Sequence, residues 1–231
     1  MSQQLPLPIA INNEETLDDF VWGDNLLIQQ QLTLCLQHLG ERMLYLWGDN
    51  GLGKTHLLQA ACHEVTQHQE MAIYLPLKLL HTWDTSLLEG LEHHSLIAID
   101  DVEAIGNNRV WEEALFHLYN RVKENESCRL IFSASEPPNA LDFSLPDLRS
   151  RLNHTLIMHL QTLKDEDKIQ LLCVIANKRG LTLTPQISEY LVTRLSRNLN
   201  NLIQVLDKLD AASLAHKRKL TIPFVKSILD L

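Results

Sequence analysis

The chain has 231 residues, with 20 basic and 29 acidic side chains and a formal net charge of −9. A content of 45% apolar and 21% charged residues is typical of a folded protein and excludes a disordered chain. Residues 1–41 carry six acidic and no basic side chains, whereas residues 151–231 carry 12 basic and 7 acidic ones. Proteins that grip duplex DNA by themselves present clustered Lys and Arg, so this balance argues against a stand-alone DNA-binding protein, and RNA is disfavoured for the same reason.

The N-terminal sequence MSQQLPLPIA has no cationic region, and its apolar stretch is broken by Pro6 and Pro8, so it does not resemble a signal peptide. No apolar run approaches the roughly 18 residues of a membrane span, and we expect a cytoplasmic protein. The four cysteines contain no CxxC pair, which predicts buried, reduced thiols rather than a zinc site or a disulfide scaffold.

Five short apolar runs predict β-strands in the first two thirds of the chain. They are Met43–Trp47, Met71–Leu75, Leu96–Ile99, Leu130–Phe132 and a weaker one at Leu156–Leu160. Helical patterns lie between them, including Lys54–Gln69 and Trp111–Asn125. Strands that alternate with helices predict an α/β fold with a parallel five-stranded sheet and helices on both faces.

After residue 161 the sequence predicts helices only. The predicted helix boundaries are a capping box at Thr162 and Asp165, a C-terminal Gly180, starts at Thr184–Pro185 and Thr221–Pro223, and a long helix at Asn198–His216. We therefore expect an α/β base over residues 13–160 and a small all-helical lid over 161–231, preceded by an extended peptide at 1–12.

Residues 48–55 match the phosphate-binding pattern GxxxxGK[ST], directly after a predicted strand and directly before a predicted helix. The residues of this loop are Gly48, Asp49, Asn50, Gly51, Leu52, Gly53, Lys54 and Thr55. Glycines let the backbone amides curl around a phosphate, a Lys reaches the terminal phosphates and a Thr hydroxyl can ligate Mg²⁺. Nucleotide binding is the firmest functional prediction from the sequence.

The strand Leu96–Ile99 runs into Asp100 and Asp101, and the next strand ends at Ser133 and Ser135. The carboxyl ends of parallel strands meet at one edge of the sheet, where phosphate and metal bind. We therefore expect Asp100 to be the Mg²⁺ partner and Asp101 to polarise the attacking water. A hydroxyl of Ser133 or Ser135 is a candidate contact to the γ-phosphate or that water.

Two arginines stand out by their positions. Arg151 follows the Pro146–Asp147 turn and precedes the fifth strand, an expected exposed place from which a guanidinium can reach the γ-phosphate of a neighbouring molecule. Arg197 lies near the start of the long lid helix and can close over a nucleotide. A solvated surface role is the alternative for each.

Together these motifs resemble the AAA+ ATPases of the DnaA clan over essentially the whole chain. The resemblance implies that Lys54 and Thr55 form Walker A, Asp100 and Asp101 form Walker B, Ser133 or Ser135 is the sensor 1 residue, Arg151 is the arginine finger and Arg197 is sensor 2. It also places Phe20, Gly23, Asn25 and His56 near an ADP or ATP. Most AAA+ proteins have Glu at the position of Asp101, so hydrolysis by this chain itself is expected to be weak.

Within that clan the chain looks most similar to the Hda family of DnaA-regulating proteins. The sequence ends at residue 231 without a helix-turn-helix domain, and residues 218–226 read RKLTIPFVK. The N-terminal residues Gln4, Leu5, Pro6, Leu7, Pro8 and Ile9 resemble a sliding-clamp-binding peptide, in which prolines keep the backbone extended and apolar side chains fill a groove. A frayed tail or an edge strand is the alternative interpretation of these residues.

The resemblance implies a negative regulator of replication initiation that binds the DNA-loaded clamp and promotes hydrolysis of ATP on the DnaA initiator. DNA is then contacted only through the clamp, and self-association is left open. The alternatives are an AAA+ loader or recruiter of replication factors and, from another class, a small-molecule P-loop kinase.

Overall fold

The computed structural model describes residues 15–195, 199–216 and 218–229, and the side chain of residue 200 is not described. Contacts divide these residues into two compact units. The base unit contains residues 15–20 and Asn25–Gln161, and the lid unit contains Val21–Asp24 and the described residues from Thr162 onward.

The base unit is built on five parallel strands in the order β2-β3-β4-β1-β5. Their bounds are β1 Met43–Trp47, β2 Ala72–Pro76, β3 Leu96–Asp100, β4 Arg129–Ala134 and β5 Leu156–His159. The predicted parallel sheet is confirmed, and each of the five apolar runs forms a strand to within one or two residues. The central strands β3 and β4 are buried at every position, as expected for a sheet covered on both faces.

Helices α1 Leu26–Leu36, α2 Lys54–Gln67, α3 Leu77–Leu80, α4 Arg109–Glu124 and α5 Pro146–Asn153 belong to the base unit. Short 3₁₀ segments occur at Thr85–Leu88, Leu91–His93 and Val102–Ile105. In α4 the predicted apolar stripe of Trp111, Leu115, Leu118 and Val122 is buried in the main core. Helix α5 was not predicted, because its short sequence PDLRSRLN has only two buried apolar positions, Leu148 and Leu152.

The sheet order has a direct consequence for the functional residues. Strand β4 pairs with β1 on one side and with β3 on the other, so it separates the strand that enters the phosphate loop from the strand that ends in Asp100. In the register, Leu46 of β1 lies opposite Ser133 of β4. The carboxyl end of β4 therefore delivers a hydroxyl between the loop and the acidic residues.

The lid unit contains helices α6 Asp165–Lys178, α7 Pro185–Arg194, α8 Leu199–His216 and α9 Ile222–Leu229, packed around their own apolar core. The capping box predicted at Thr162 and Asp165 is shifted: Lys164 is the N-cap residue, and its N–H donates to Asp167 Oδ2 at 3.2 Å. Asp165 is instead the first helical residue, where a carboxylate stabilises the positive end of the helix dipole. Gly180 has a φ of +71° and follows α6 as predicted.

Within the described ranges, no helix combines the length and the apolar character needed to cross a bilayer.

Candidate functional site

The phosphate-loop motif occupies the connection between β1 and α2. Gly48, Gly51 and Gly53 all have positive φ angles, of 155°, 86° and 91°. A Cβ atom on Gly53 would lie 2.8 Å from the ring of Phe20, and one on Gly48 would lie 2.7 Å from the carbonyl oxygen of Leu160. Both glycines are therefore required by close contacts as well as by backbone conformation.

The side chain of Lys54 is the buried cation of this loop. It is 6% exposed, and its Nζ donates to the carbonyl oxygens of Gly48 at 2.6 Å and Asp49 at 3.0 Å. Burial lowers the pKa of this ammonium below its ordinary value, although the carboxylates of Glu103 and Asp100 oppose the shift. The ammonium thus fixes the curvature of the loop and lies beside the place that the loop forms for an anion. The other loop residues, Asp49, Asn50, Gly51 and Leu52, are exposed or half-buried.

Asp100 ends β3 and is 1% exposed. Its Oδ2 accepts from the hydroxyl of Thr55 at 2.6 Å and from the hydroxyl of Tyr74 at 2.8 Å, and its Oδ1 accepts from the hydroxyl of Ser133. The structure therefore brings together Thr55, Asp100 and Ser133, three residues predicted from separate motifs. A buried carboxylate is stable in such a place because hydroxyl donors satisfy it.

Asp101 lies just beyond the strand in the left-handed region, with a φ of 54°, and precedes the 3₁₀ segment Val102–Ile105. Its N–H donates to Ser133 Oγ at 3.3 Å. Burial, followed by the charges of Asp100 and Glu103, raises the pKa of the Asp101 carboxyl above its ordinary value. A role of Asp101 in polarising an attacking water stays a prediction.

The two candidate serines differ in their contacts. The Ser133 hydroxyl connects Asp100 to the backbone of Asp101, and this side chain is fully buried. Ser135 is half-buried, and its backbone N–H donates to Glu103 Oε1 at 3.0 Å. Of the two hydroxyls, that of Ser133 is the one bonded to the carboxylate cluster.

The segment that precedes α1 packs on the start of α2. The ring of Phe20 lies against Gly53, and its centroid is 5.6 Å from that of the His56 ring. His56 Nε2 lies 3.0 Å from the carbonyl oxygen of Thr16. Phe20 and His56, both predicted near a nucleotide, are therefore adjacent to the phosphate loop and to each other.

Asn25 and Gly23 lie in different units. Gly23 belongs to the lid unit, has a φ of +49°, and a Cβ there would lie 2.8 Å from Asp167 Oδ2. Asn25 is 3% exposed, and its amide pairs with the backbone of Gln161, accepting at 2.7 Å and donating at 3.1 Å. These amide atoms hold the chain at the end of the base unit, and contact of Asn25 with a nucleotide stays a prediction.

Arg151 lies in the last turn of helix α5, where the sequence predicted an exposed stretch after a turn. That expectation is wrong, because Pro146 and Asp147 form the first turn of a helix rather than a loop. The side chain is half-buried, and its guanidinium carbon is 5.8 Å from the ring centroid of Phe116 on α4. The quadrupole of an aromatic ring attracts a guanidinium placed over its face, which favours this position of the Arg151 side chain.

Several predicted residues lie outside the described part of the chain. They are Arg197 and the N-terminal residues Gln4 to Ile9.

Two residues of the site were missed by sequence reasoning. Tyr74 is part of an apolar strand pattern, and Glu103 follows two other acidic residues without any motif of its own, so only the spacing of Glu103, two residues after Asp101, was a usable signal.

The pattern of the bacterial DnaA ATPase domain matches residues 11–159, and the pattern of the Hda lid domain matches residues 165–229. An uncharacterized protein of Haemophilus influenzae is 43% identical over 231 residues, covering 100% of both chains. Among solved structures, domain III of the Thermotoga maritima replication initiation protein DnaA has a TM-score of 0.83 at 21% identity and covers 96% of this chain and 98% of that one. AMPPCP-bound DnaA from Aquifex aeolicus has a TM-score of 0.72 at 22% identity, covering 85% of this chain and 65% of that one.

Proposed function

This chain belongs to the family of bacterial DnaA ATPase domains and carries a lid of the Hda type, and we propose that it binds ADP or ATP and regulates replication initiation by acting on DnaA. The observation that supports nucleotide binding is the intact phosphate loop around Lys54. At the C-terminal end of this loop the Thr55 hydroxyl donates a hydrogen bond to Asp100. The Aquifex aeolicus relative in fold was solved with an ATP analogue, which agrees with this proposal.

The same residues fit a magnesium ion. Mg²⁺ bound with a nucleotide uses one or two protein oxygens and completes its coordination with phosphates and water. Thr55 and Asp100 supply a hydroxyl and a carboxylate 2.6 Å apart at the end of the loop, which matches that small donor set. When bound, the ion neutralises charge on the phosphates. Asp100 would hold it, and the hydroxyls of Tyr74 and Ser133 keep that carboxylate oriented.

Nucleotide binding is tested by titrating a fluorescent ADP into the wild-type protein and the Lys54→Ala variant. Removal of the ammonium deletes the positive charge of the loop and its two bonds to carbonyl oxygens, so the affinity is expected to fall at least about tenfold. The matched control is Lys123→Ala, an exposed lysine of α4. Equal affinity of wild type and Lys54→Ala would contradict the assignment of the phosphate loop.

The regulatory step is proposed to occur on the partner. Residues Gln4 to Ile9 would hold the protein at the DNA-loaded sliding clamp, and Arg151 would approach ATP bound to DnaA and stabilise the charge that develops on the transferred phosphoryl group. The net charge of −9 supports an indirect route to DNA. Nucleotide in the chain's own site would set the docking geometry, and Arg197 would contact it from the lid. Hydrolysis by the chain itself would be slow, because Asp101 has a shorter side chain than the Glu usual at this position.

The test is hydrolysis of ATP on DnaA in the presence of clamp loaded on DNA. Arg151→Ala is expected to remove the stimulation, and its control is Arg194→Ala, an exposed arginine at the end of α7. Gln4→Ala is expected to remove the dependence on the clamp, and its control is Gln3→Ala. Full stimulation by both Arg151→Ala and Gln4→Ala would refute the proposed mechanism. Turnover that instead requires helicase or single-stranded DNA would favour a loader.

A further inference from the structure

A buried glutamate on α4 binds the start of the helix that carries Arg151. Glu112 is 0% exposed. Its Oε1 accepts from the N–H of Ser144 at 3.1 Å, and its Oε2 accepts from the Ser144 hydroxyl at 2.8 Å and from the N–H of Leu145 at 2.6 Å. Ser144 and Leu145 are the two residues that directly precede α5. The Glu112 carboxylate therefore accepts hydrogen bonds from both of their backbone N–H groups and from the Ser144 hydroxyl.

The position of this carboxylate has a chemical reason. Helix α5 begins with Pro146, which has no N–H to offer, and the N–H groups of the two preceding residues are the ones that bond Glu112. A negative charge at a helix N-terminus is favourable, and bonds to an ionised acceptor are stronger than bonds to a neutral one. Burying a carboxylate is costly unless it is bonded, so three donors at this one place indicate a specific connection between α4 and the α5 entry.

The other end of α5 rests on the same face of α4. Phe116 is four residues after Glu112, which places both side chains on one side of the helix. The Phe116 ring lies under the guanidinium of Arg151. Arg149 also donates to the carbonyl oxygen of Phe143 at 2.8 Å and holds the same entry segment from α5 itself. Helix α5 is therefore connected to α4 by Glu112 at the two residues that precede it and by Phe116 in its last turn.

We propose that Glu112 is a positioning residue for Arg151. By fixing the segment that leads into α5, Glu112 sets the direction of the Arg151 guanidinium. This inference rests on the proposed function of Arg151. An arginine that stabilises a transition state acts through its placement, and a displacement of about 1 Å of a catalytic group can cost about 100-fold in rate. Loss of the Glu112 charge weakens the bonds at Ser144 and Leu145 and lets the eight-residue helix shift, because a segment this short has little stability of its own.

The experiment compares Glu112→Gln and Glu112→Ala with the matched control Glu113→Gln. Glu113 is the next residue of α4, is 49% exposed and pairs with Arg109 on the surface. Each change is made alone and together with Arg151→Ala. Four quantities are measured: the maximal rate of stimulated ATP hydrolysis on DnaA, the concentration that gives half of that rate, the affinity for fluorescent ADP, and hydrogen exchange of the backbone amides at residues 144–153.

For Glu112→Gln we expect the maximal stimulated rate to fall about tenfold, with ADP affinity and the half-maximal concentration changed less than about twofold. Exchange should become faster at residues 144–153 and stay unchanged in α2 and the strands. Added to Arg151→Ala, Glu112→Gln should cause no further loss, because there is no guanidinium left to position. The Glu113→Gln control should behave as wild type. If Glu112→Ala does not fold, Glu112→Gln decides alone.

Two outcomes overturn the positioning role. The first is a wild-type rate for Glu112→Gln while Arg151→Ala abolishes stimulation, and the second is a loss of rate accompanied by equal losses of ADP affinity and of protection throughout the base unit. Unchanged stimulation by Arg151→Ala would instead show that the proposed function of Arg151 is wrong, whatever Glu112 does.

Discussion

Tyr74 provides a sharp test of the acidic cluster, because its hydroxyl is bonded to the buried carboxylate of Asp100. The distance is 2.8 Å, Tyr74 is 6% exposed, and the same hydroxyl interacts with the side chain of Gln59. Tyr74→Phe removes one of the three hydroxyls that donate to Asp100 and keeps the ring. A bond to a charged group contributes about 1.5–3 kcal/mol, so the base unit should lose about 2 kcal/mol of unfolding free energy. For a chain of this size that corresponds to a decrease in Tm of about 4–8 °C.

The matched control is Tyr45→Phe. Tyr45 is also buried, and its hydroxyl donates to the backbone carbonyl of Glu136 at 2.9 Å, a neutral acceptor, so a loss of about 1 kcal/mol is expected. Both variants are measured by urea unfolding followed by tryptophan fluorescence, which reports mainly on the base unit because Trp47, Trp83 and Trp111 belong to it. If Tyr74→Phe costs no more than Tyr45→Phe, the reasoning that Asp100 needs three hydroxyl donors is refuted.

Three further predictions concern the same unit. Asp101→Asn should raise the Tm at pH 7, because burial and the neighbouring carboxylates raise the pKa of the Asp101 carboxyl and its ionised form destabilises the fold. The gain in Tm should shrink as the pH falls toward 4, and an equal gain at pH 8 and pH 4 would contradict this prediction. Arg129→Met should lower the free energy of unfolding in urea by about 3 kcal/mol, because the buried, 1% exposed Arg129 side chain donates to the carbonyl oxygen of Leu36 and to other acceptors, which would lose their donor. A loss below about 1 kcal/mol would show that these acceptors find other donors. Gly53→Ala should weaken ADP binding about tenfold, as measured by calorimetry, because a φ of +91° costs an alanine about 1–2 kcal/mol and the added methyl group would contact the Phe20 ring. Unchanged affinity would mean that the loop can change its conformation to accommodate the methyl group.

The strands and the phosphate loop could be predicted because their signals are local. Buried parallel strands are continuous apolar runs, and a glycine-rich turn between a strand and a helix has few other uses. The meeting of Thr55 with Asp100 was also predictable in outline, because both follow parallel strands whose carboxyl ends share one edge of the sheet.

The connections that orient these residues could not be predicted in the same way. Tyr74 lies in an apolar strand and Glu112 in an amphipathic helix, where each residue type is ordinary. What distinguishes them is a partner 26 or 32 positions away in the sequence, and a local pattern contains no information about such a partner. The expected exposure of Arg151 was wrong for a related reason: Pro146 and Asp147 are typical of a turn, but the segment forms a helix that packs on α4.

The buried ammonium of Lys54 lies near Asp100, Asp101 and Glu103, and the charges of Asp100 and Glu103 act both on Lys54 and on the Asp101 carboxyl. A nucleotide placed on the loop would add several negative charges to this set, and the loop amides with Lys54 offset only part of them. The hydroxyl–carboxylate pair of Thr55 and Asp100 lies where a divalent cation would balance the remainder. We therefore propose that nucleotide and Mg²⁺ bind this site together.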